Sequence, residues 1–118
     1  MISIHNLHKS FNGKSVLTGA TLDIPHGQTQ VIIGRSGTGK SVLLKLIIGL
    51  LKPELGKIFV EEEELTTMNV RELFQVRRKF GMLFQGAALF DSMTVEENVA
   101  LGVRFHRLMH EREIERRV

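Results

Sequence analysis

The 118-residue chain contains no cysteine, no tryptophan and no tyrosine, and only two prolines. The lack of cysteine excludes a disulfide framework and a thiolate metal site, and agrees with a reducing compartment. Without tryptophan or tyrosine, and without a long basic run, the chain has no interleaved stacking platform for nucleic acid, which is set aside as a partner. Long apolar runs are missing too. The longest, residues 42–51, is broken by Lys45 and Gly49 and falls short of the about 20 residues that cross a bilayer. The chain opens Met1-Ile2-Ser3-Ile4-His5, without a basic-then-apolar signal segment. A soluble, cytosolic protein is the expectation. The apolar fraction is 42% and the charged fraction 25%. Those values exclude collagen, low-complexity disorder and coiled coil as descriptions of the whole. The length suits one small domain or part of a larger one.

Net charge is +3, unevenly laid out. Residues 1–60 carry seven Lys/Arg against two Asp/Glu, and residues 61–118 nine against eleven. The front half should therefore attract anions. Apolar–polar alternation predicts antiparallel strands over 2–8 and 21–24, with Val16 and Leu17 opening a short strand after the turn pair Asn12-Gly13. Residues 28–33 and 80–84 read as buried strands by composition. From Lys40 the pattern is helical and apolar on nearly all faces, predicting a deeply buried helix that ends at Pro53 and Gly56. Residues 57–60 read as a strand and 61–64 as an exposed turn. Asn69 with Glu72, and Thr94 with Glu97, predict helix starts over 70–79 and from 95 past Val103. Residues 111–118 are helical in pattern.

Gly34-Arg35-Ser36-Gly37-Thr38-Gly39-Lys40-Ser41 matches G-x-x-x-x-G-K-[ST] in full. A chance match in a chain this long is on the order of half a per cent. The motif follows an apolar segment and opens an apolar helix, as a phosphate loop must. Glycines let the backbone close around phosphate oxygens where a Cβ would intrude. The amides of Gly37 through Ser41 can form an anion nest at the positive end of the helix. Lys40 would reach the β- and γ-phosphates, and the Ser41 hydroxyl a Mg²⁺ ion.

The surroundings narrow the reading. Phe11 precedes Asn12-Gly13 among antiparallel strands; Leu50-Leu51-Lys52-Pro53-Glu54-Leu55-Gly56 follows the helix, and later comes Leu83-Phe84-Gln85. This succession resembles the ATP-binding subunit of an ABC transporter over essentially the whole chain. The resemblance implies an α/β P-loop NTPase fold with an N-terminal antiparallel β part. Residues 1–118 would be the N-terminal part of the ATP-binding domain. It implies ATP and Mg²⁺ as ligands. Phe11 would stack on adenine, although a Phe in a turn also serves as a core anchor; Val16 would pack beside the nucleotide. Gly34, Ser36, Gly37, Thr38, Gly39, Lys40, Ser41 and Val42 would hold the phosphates. Lys40 and Gln85 would act in catalysis, and Ser41 and Gln85 would hold the metal. A membrane permease would dock at residues 85–93, from Gln85 to Met93, and the full-length ATPase would work as a homodimer on the inner face of the inner membrane. The stretches Gly39-Lys40-Ser41-Val42-Leu43-Leu44-Lys45 and 80–95 further resemble the Mla-type phospholipid transport ATPase.

Two residues depart from the family pattern. Val42 stands where most members carry Thr, and Glu62-Glu63 where they usually carry Asp-Gly. If that turn needs a positive φ, the change costs about 1 kcal/mol. The family's downstream half holds a Leu-Ser-Gly-Gly signature, the Walker B aspartate, the water-orienting glutamate and the switch histidine. None occurs in this chain, so the C-terminal half is expected to be incomplete. Weak nucleotide binding with little turnover follows, because phosphoryl transfer rests on positioning and electrostatics. Two alternatives stand beside this reading: a non-transport member of the superfamily, and a remnant that is inactive or only binds nucleotide.

Weaker signals read blandly. His106 and His110 have helical metal-ligand spacing but no H-E-x-x-H pattern. Residues 61–64 read as a solvated edge. Arg77-Arg78-Lys79 reads as favourable positive charge at a helix C-terminus.

Overall fold

The structure, a computed structural model, describes residues 1–86 and 88–118. Two compact units divide the chain, Met1–Gly81 and Met82–Val118.

The first unit is built on an antiparallel sheet. Strand β1 (Ile2–Phe11) pairs with β2 (Lys14–Ile24) across the Asn12-Gly13 turn, where both residues have positive φ. On its other side β1 pairs with β3 (Leu55–Val60), which turns into the two-residue strand β4 (Glu63–Glu64). The sheet order is β2-β1-β3-β4. The two short strands expected over 16–24 form one continuous strand. Glu63 and Glu64, expected in an exposed turn, belong to a hairpin, and the positive φ falls on Glu61 at 58° rather than on Glu62 or Glu63.

Three helical pieces join this sheet: α1 (Lys40–Ile47), a 3-10 turn (Leu65–Thr67) and α2 (Val70–Arg77). The core is the apolar side of the sheet against the helices, with Ile4, Leu7, Leu46, Ile58, Leu73 and Val76 among its buried members. Burying each such side chain contributes roughly 1.5–3 kcal/mol. α2 starts as its sequence requires. The Asn69 side chain accepts from Arg71 N at 2.9 Å and Glu72 N at 3.0 Å, while Asn69 N donates to Glu72 Oε2 at 2.8 Å.

Helix α1 departs from expectation twice. Only one face is buried, through Leu43, Leu46 and Ile47, while Leu44 is exposed. The helix also stops well before Pro53. Gly49, at φ 69°, donates to Leu46 O at 3.0 Å and Leu50 N donates to Lys45 O at 2.8 Å. This double closure is a Schellman end. Gly56 does not end a helix but lies within β3.

Neither 28–33 nor 80–84 forms a strand. Ile33 is 91% and Leu83 86% exposed. A strand exists through hydrogen bonds to a neighbour, and the described strands pair only with one another. Apolar composition supplies no such neighbour.

The second unit holds α3 (Val95–Phe105) and α4 (Glu111–Arg117). Ala100 and Ile114 are its buried apolar residues. Thr94 Oγ1 accepts from Glu97 N at 3.1 Å and Thr94 N donates to Glu97 Oε2 at 2.7 Å, the expected capping box. The Thr94 backbone N–H is the main reason the Glu97 carboxyl sits below its ordinary pKa. No helix among the described residues is long and apolar enough to cross a membrane.

Candidate functional site

The phosphate-loop residues run from the end of segment 28–33 into the first turn of α1. Gly39 is the N-cap, with φ 95° and ψ 1°. No side chain caps this end and no acidic residue lies in its first turn. By contrast, α2 and α3 both begin with complete capping boxes. The first-turn donors of α1 therefore carry the helix's positive end without a carboxylate to neutralise it. Lys40 Nζ donates to Gly34 O at 2.6 Å and Arg35 O at 2.7 Å, so the ammonium spans the two ends of the loop. An ammonium has three donors, which leaves one for an anion. Thr38 Oγ1 donates to Arg35 O at 2.8 Å, and Thr38 N reaches the same oxygen at 3.4 Å. In this conformation the Thr38 amide serves the loop rather than pointing outward. Ser36, Gly37 and Ser41 are exposed, and Val42 is half-buried. A cavity of about 270 Å³ lies beside the loop, with Leu17, Ile32 and Leu43 on its apolar side and Gly34 and Lys40 on its polar side.

Strand β2 fixes the back of the loop. A Cβ on Gly39 would stand 2.9 Å from Val16 Cγ1 and 3.2 Å from both Val16 O and Leu17 Cδ2. Val16 thus sits against the loop's last glycine. Phe11 lies at the end of β1 and is 41% exposed. The Lys9 ammonium lies over its ring, 5.3 Å from the centroid. Glu54 joins them: its Oε1 accepts from Ser10 N at 2.9 Å and lies 3.9 Å from Lys9 Nζ. Sequence reasoning missed both Lys9 and Glu54. The spacing of Lys9 and Phe11 placed them on one strand face, a signal that was available. Nothing local pointed to Glu54.

Gln85 lies in the second unit, at an exposed turn with Gly86. The predicted docking segment 85–93 includes Ala87, which is outside the described residues. Its C-terminal part is held by a residue the sequence did not single out. Asn98 Oδ1 accepts from Phe90 N at 2.8 Å, while Asn98 Nδ2 donates to Phe90 O, Met93 O and Thr94 O at 3.1, 3.2 and 2.9 Å. One amide thereby closes the turn and shapes an apolar hollow lined by Leu89, Phe90, Met93 and Val99. Net hydrogen bonds contribute about 1 kcal/mol each. Asn98→Ala is expected to raise the Phe90 amide exchange rate on the order of tenfold or more. Unchanged exchange at Phe90 would show that the turn does not depend on this side chain.

Arg77 and Lys79 hold parts of the fold together. Arg77 Nε donates to Ile48 O at 3.0 Å and Nη2 to Gly49 O at 2.5 Å, satisfying the carbonyl end of α1. Lys79 Nζ binds Glu61 at 2.8 Å and Glu63 at 2.6 Å. These two carboxylates, Glu61 first, raise Lys79 to about 12, and Lys79 lowers Glu61 in turn. His106 and His110 do not share a helix. His106 ends α3, Arg107 takes φ 52°, and His110 precedes α4. Among the described residues no group of three His, Asp or Glu could hold a metal ion.

Comparison with known proteins agrees with this geometry. A family profile described as ABC transporter matches residues 17–117. The Probable ribonucleotide transport ATP-binding protein mkl of Mycobacterium leprae (strain TN) is 44% identical over 113 residues, covering 96% of this chain and 33% of that protein. The phosphonates import ATP-binding protein PhnC 2 of Synechococcus sp. (strain JA-2-3B'a(2-13)) is 47% identical over 103 residues, covering 86% and 38%. The chain thus spans about a third of the length of these curated relatives. Among solved structures, the dimeric ATP-binding cassette MJ0796 in a post-hydrolysis state bound to ADP and Pi superposes with a TM-score of 0.90 at 31% identity. That alignment covers 99% of this chain and 53% of the other. The fold is that of an ATP-binding cassette, and the chain belongs to the ABC transporter family.

Proposed function

We propose that residues 1–118 are the N-terminal part of an ABC-type ATP-binding domain, which binds Mg·ATP in a subunit that couples ATP binding and hydrolysis to membrane transport. The observation that carries this reading is the phosphate loop itself. A full motif meets an α1 N-terminus that lacks any capping side chain, with Lys40 drawn across the loop by the Gly34 and Arg35 carbonyls. Lys40 and the amides around Gly37, Gly39 and Ser41 would hold the phosphates, with Gly34, Ser36, Thr38 and Val42 completing the loop. Phe11 would stack on the base, and Val16 would pack beside the nucleotide. The Ser41 hydroxyl and the Gln85 side chain are hard oxygen donors of the kind Mg²⁺ takes, and their proposed role is to hold it. Gln85, with Lys40, would act in catalysis.

The partners follow from the same reading. A permease would dock at 85–93, two copies of the complete ATPase would pair as in the dimeric cassette, and the assembly would sit on the inner face of the inner membrane. Phospholipid is the proposed cargo, on the likeness of 39–45 and 80–95 to Mla-type ATPases. Ribonucleotide and phosphonate are the cargoes named for the relatives.

The test is unfolding of the chain with and without Mg·ATP. Ligand at about 100 times its dissociation constant adds about 2.7 kcal/mol. Lys40→Ala is expected to abolish that gain. Equal protection of the wild type and the Lys40 variant would sink the reading.

A further inference from the structure

We propose that Lys9 and Glu54 are positioning residues for a purine base, acting through Phe11. This rests on Phe11 being the base platform, as proposed above. Phe11 precedes the Asn12-Gly13 turn, a place where an aromatic ring ordinarily has freedom to swing. Here the three residues before it are tied to one partner. Glu54 N donates to His8 O at 2.9 Å, Glu54 Oε1 accepts from Ser10 N at 2.9 Å, and the same oxygen faces Lys9 Nζ at 3.9 Å. Lys9 in turn lies over the Phe11 ring, with its side chain only 19% exposed.

Two consequences follow. The ring has one face covered by the ammonium, so only the other is open to a planar ligand. The cation also draws π density toward itself. Stacked rings repel through the negative faces of their quadrupoles, and a cation behind one ring eases that repulsion for an electron-rich purine in front. Lys9 therefore tunes affinity for the base, whereas Lys40 serves the phosphates.

The experiment is calorimetric titration of the 118-residue chain with Mg·ATP and with Mg·tripolyphosphate, which lacks the base. The readout is the ratio of the two affinities. Phe11→Ala is expected to lower it about tenfold, and Lys9→Met about threefold. Lys9→Arg should restore it, and Lys9→Met should have no further effect once Phe11 is alanine. If the ratio falls in Phe11→Ala but not in Lys9→Met, the inference is overturned while Phe11 stands as the platform. If Lys9→Met weakens both ligands equally, the charge acts as a general field and the inference is overturned too. Binding of neither ligand by the wild type would remove the functional reading and this inference with it.

Discussion

Replacing Gly56 with alanine is expected to destabilise the Met1–Gly81 unit by about 4 kcal/mol. Gly56 lies in β3 at φ 96°, where an L-residue costs about 1–2 kcal/mol. It also stands opposite the break in the β1–β3 register between His5 and His8. There Asn6 takes φ 50° and the β1 backbone bulges toward its neighbour. A Cβ at position 56 would run into Asn6 O, and would stand 2.5 Å from His5 O and 2.6 Å from Asn6 C. All three are backbone atoms, so no side chain can swing aside. The strands would have to separate, and with them the apolar face that carries Ile4, Leu7 and Ile58. Domains of this size hold only about 5–10 kcal/mol in total, so the loss is a large share of the stability. Urea unfolding reads it directly as a fall in midpoint. Gly13→Ala is the control: φ is 77° but nothing lies within 4 Å, so strain acts alone at about 1–2 kcal/mol. Equal costs at the two positions would show that β1 and β3 do not approach as closely as the structure has them.

The features legible in the sequence were those whose chemistry is local. The pairs Asn69/Glu72 and Thr94/Glu97 each hold both partners within one turn, and the Asn12-Gly13 hairpin and the phosphate loop are likewise short segments. What failed depends on neighbours. Val31, Ile33 and Leu83 have strand composition, but composition cannot say whether a ladder partner lies alongside, and these residues are exposed. Pro53 is the louder stop signal after α1 in the sequence. Gly49 stops the helix first, helped by Arg77, which reaches its last carbonyls from 28 and 29 residues away. Arg77 is the basic residue of the last turn of α2, as the sequence reads, and its guanidinium also serves the end of α1. The same holds at the site. Lys40 and its loop were legible, but Glu54 meets Ser10 across 44 residues, and no periodicity links them.

Gly39→Ala is expected to cost about 3 kcal/mol and to abolish protection by Mg·ATP. Gly39 is the hinge between loop and helix. Its backbone is left-handed, and a Cβ there would press within 2.9 Å of Val16 Cγ1 and 3.2 Å of the Val16 carbonyl. Val16 is β-branched and stiff about χ1, and its carbonyl belongs to β2, so neither yields cheaply. The N-terminus of α1 would be levered away from β2. Lys40 follows Gly39 directly, so its two bonds to Gly34 and Arg35 would be disturbed in the same step. Gly37→Ala separates the two causes. Its φ is 77° but its Cβ position is open, so it suffers backbone strain without contact, about 1–2 kcal/mol. Unfolding of both variants with and without Mg·ATP distinguishes them: the difference in stability reports the packing against Val16, and the difference in protection reports the loop. A Gly39 variant that keeps its nucleotide protection would mean that the loop binds phosphate without being braced by β2.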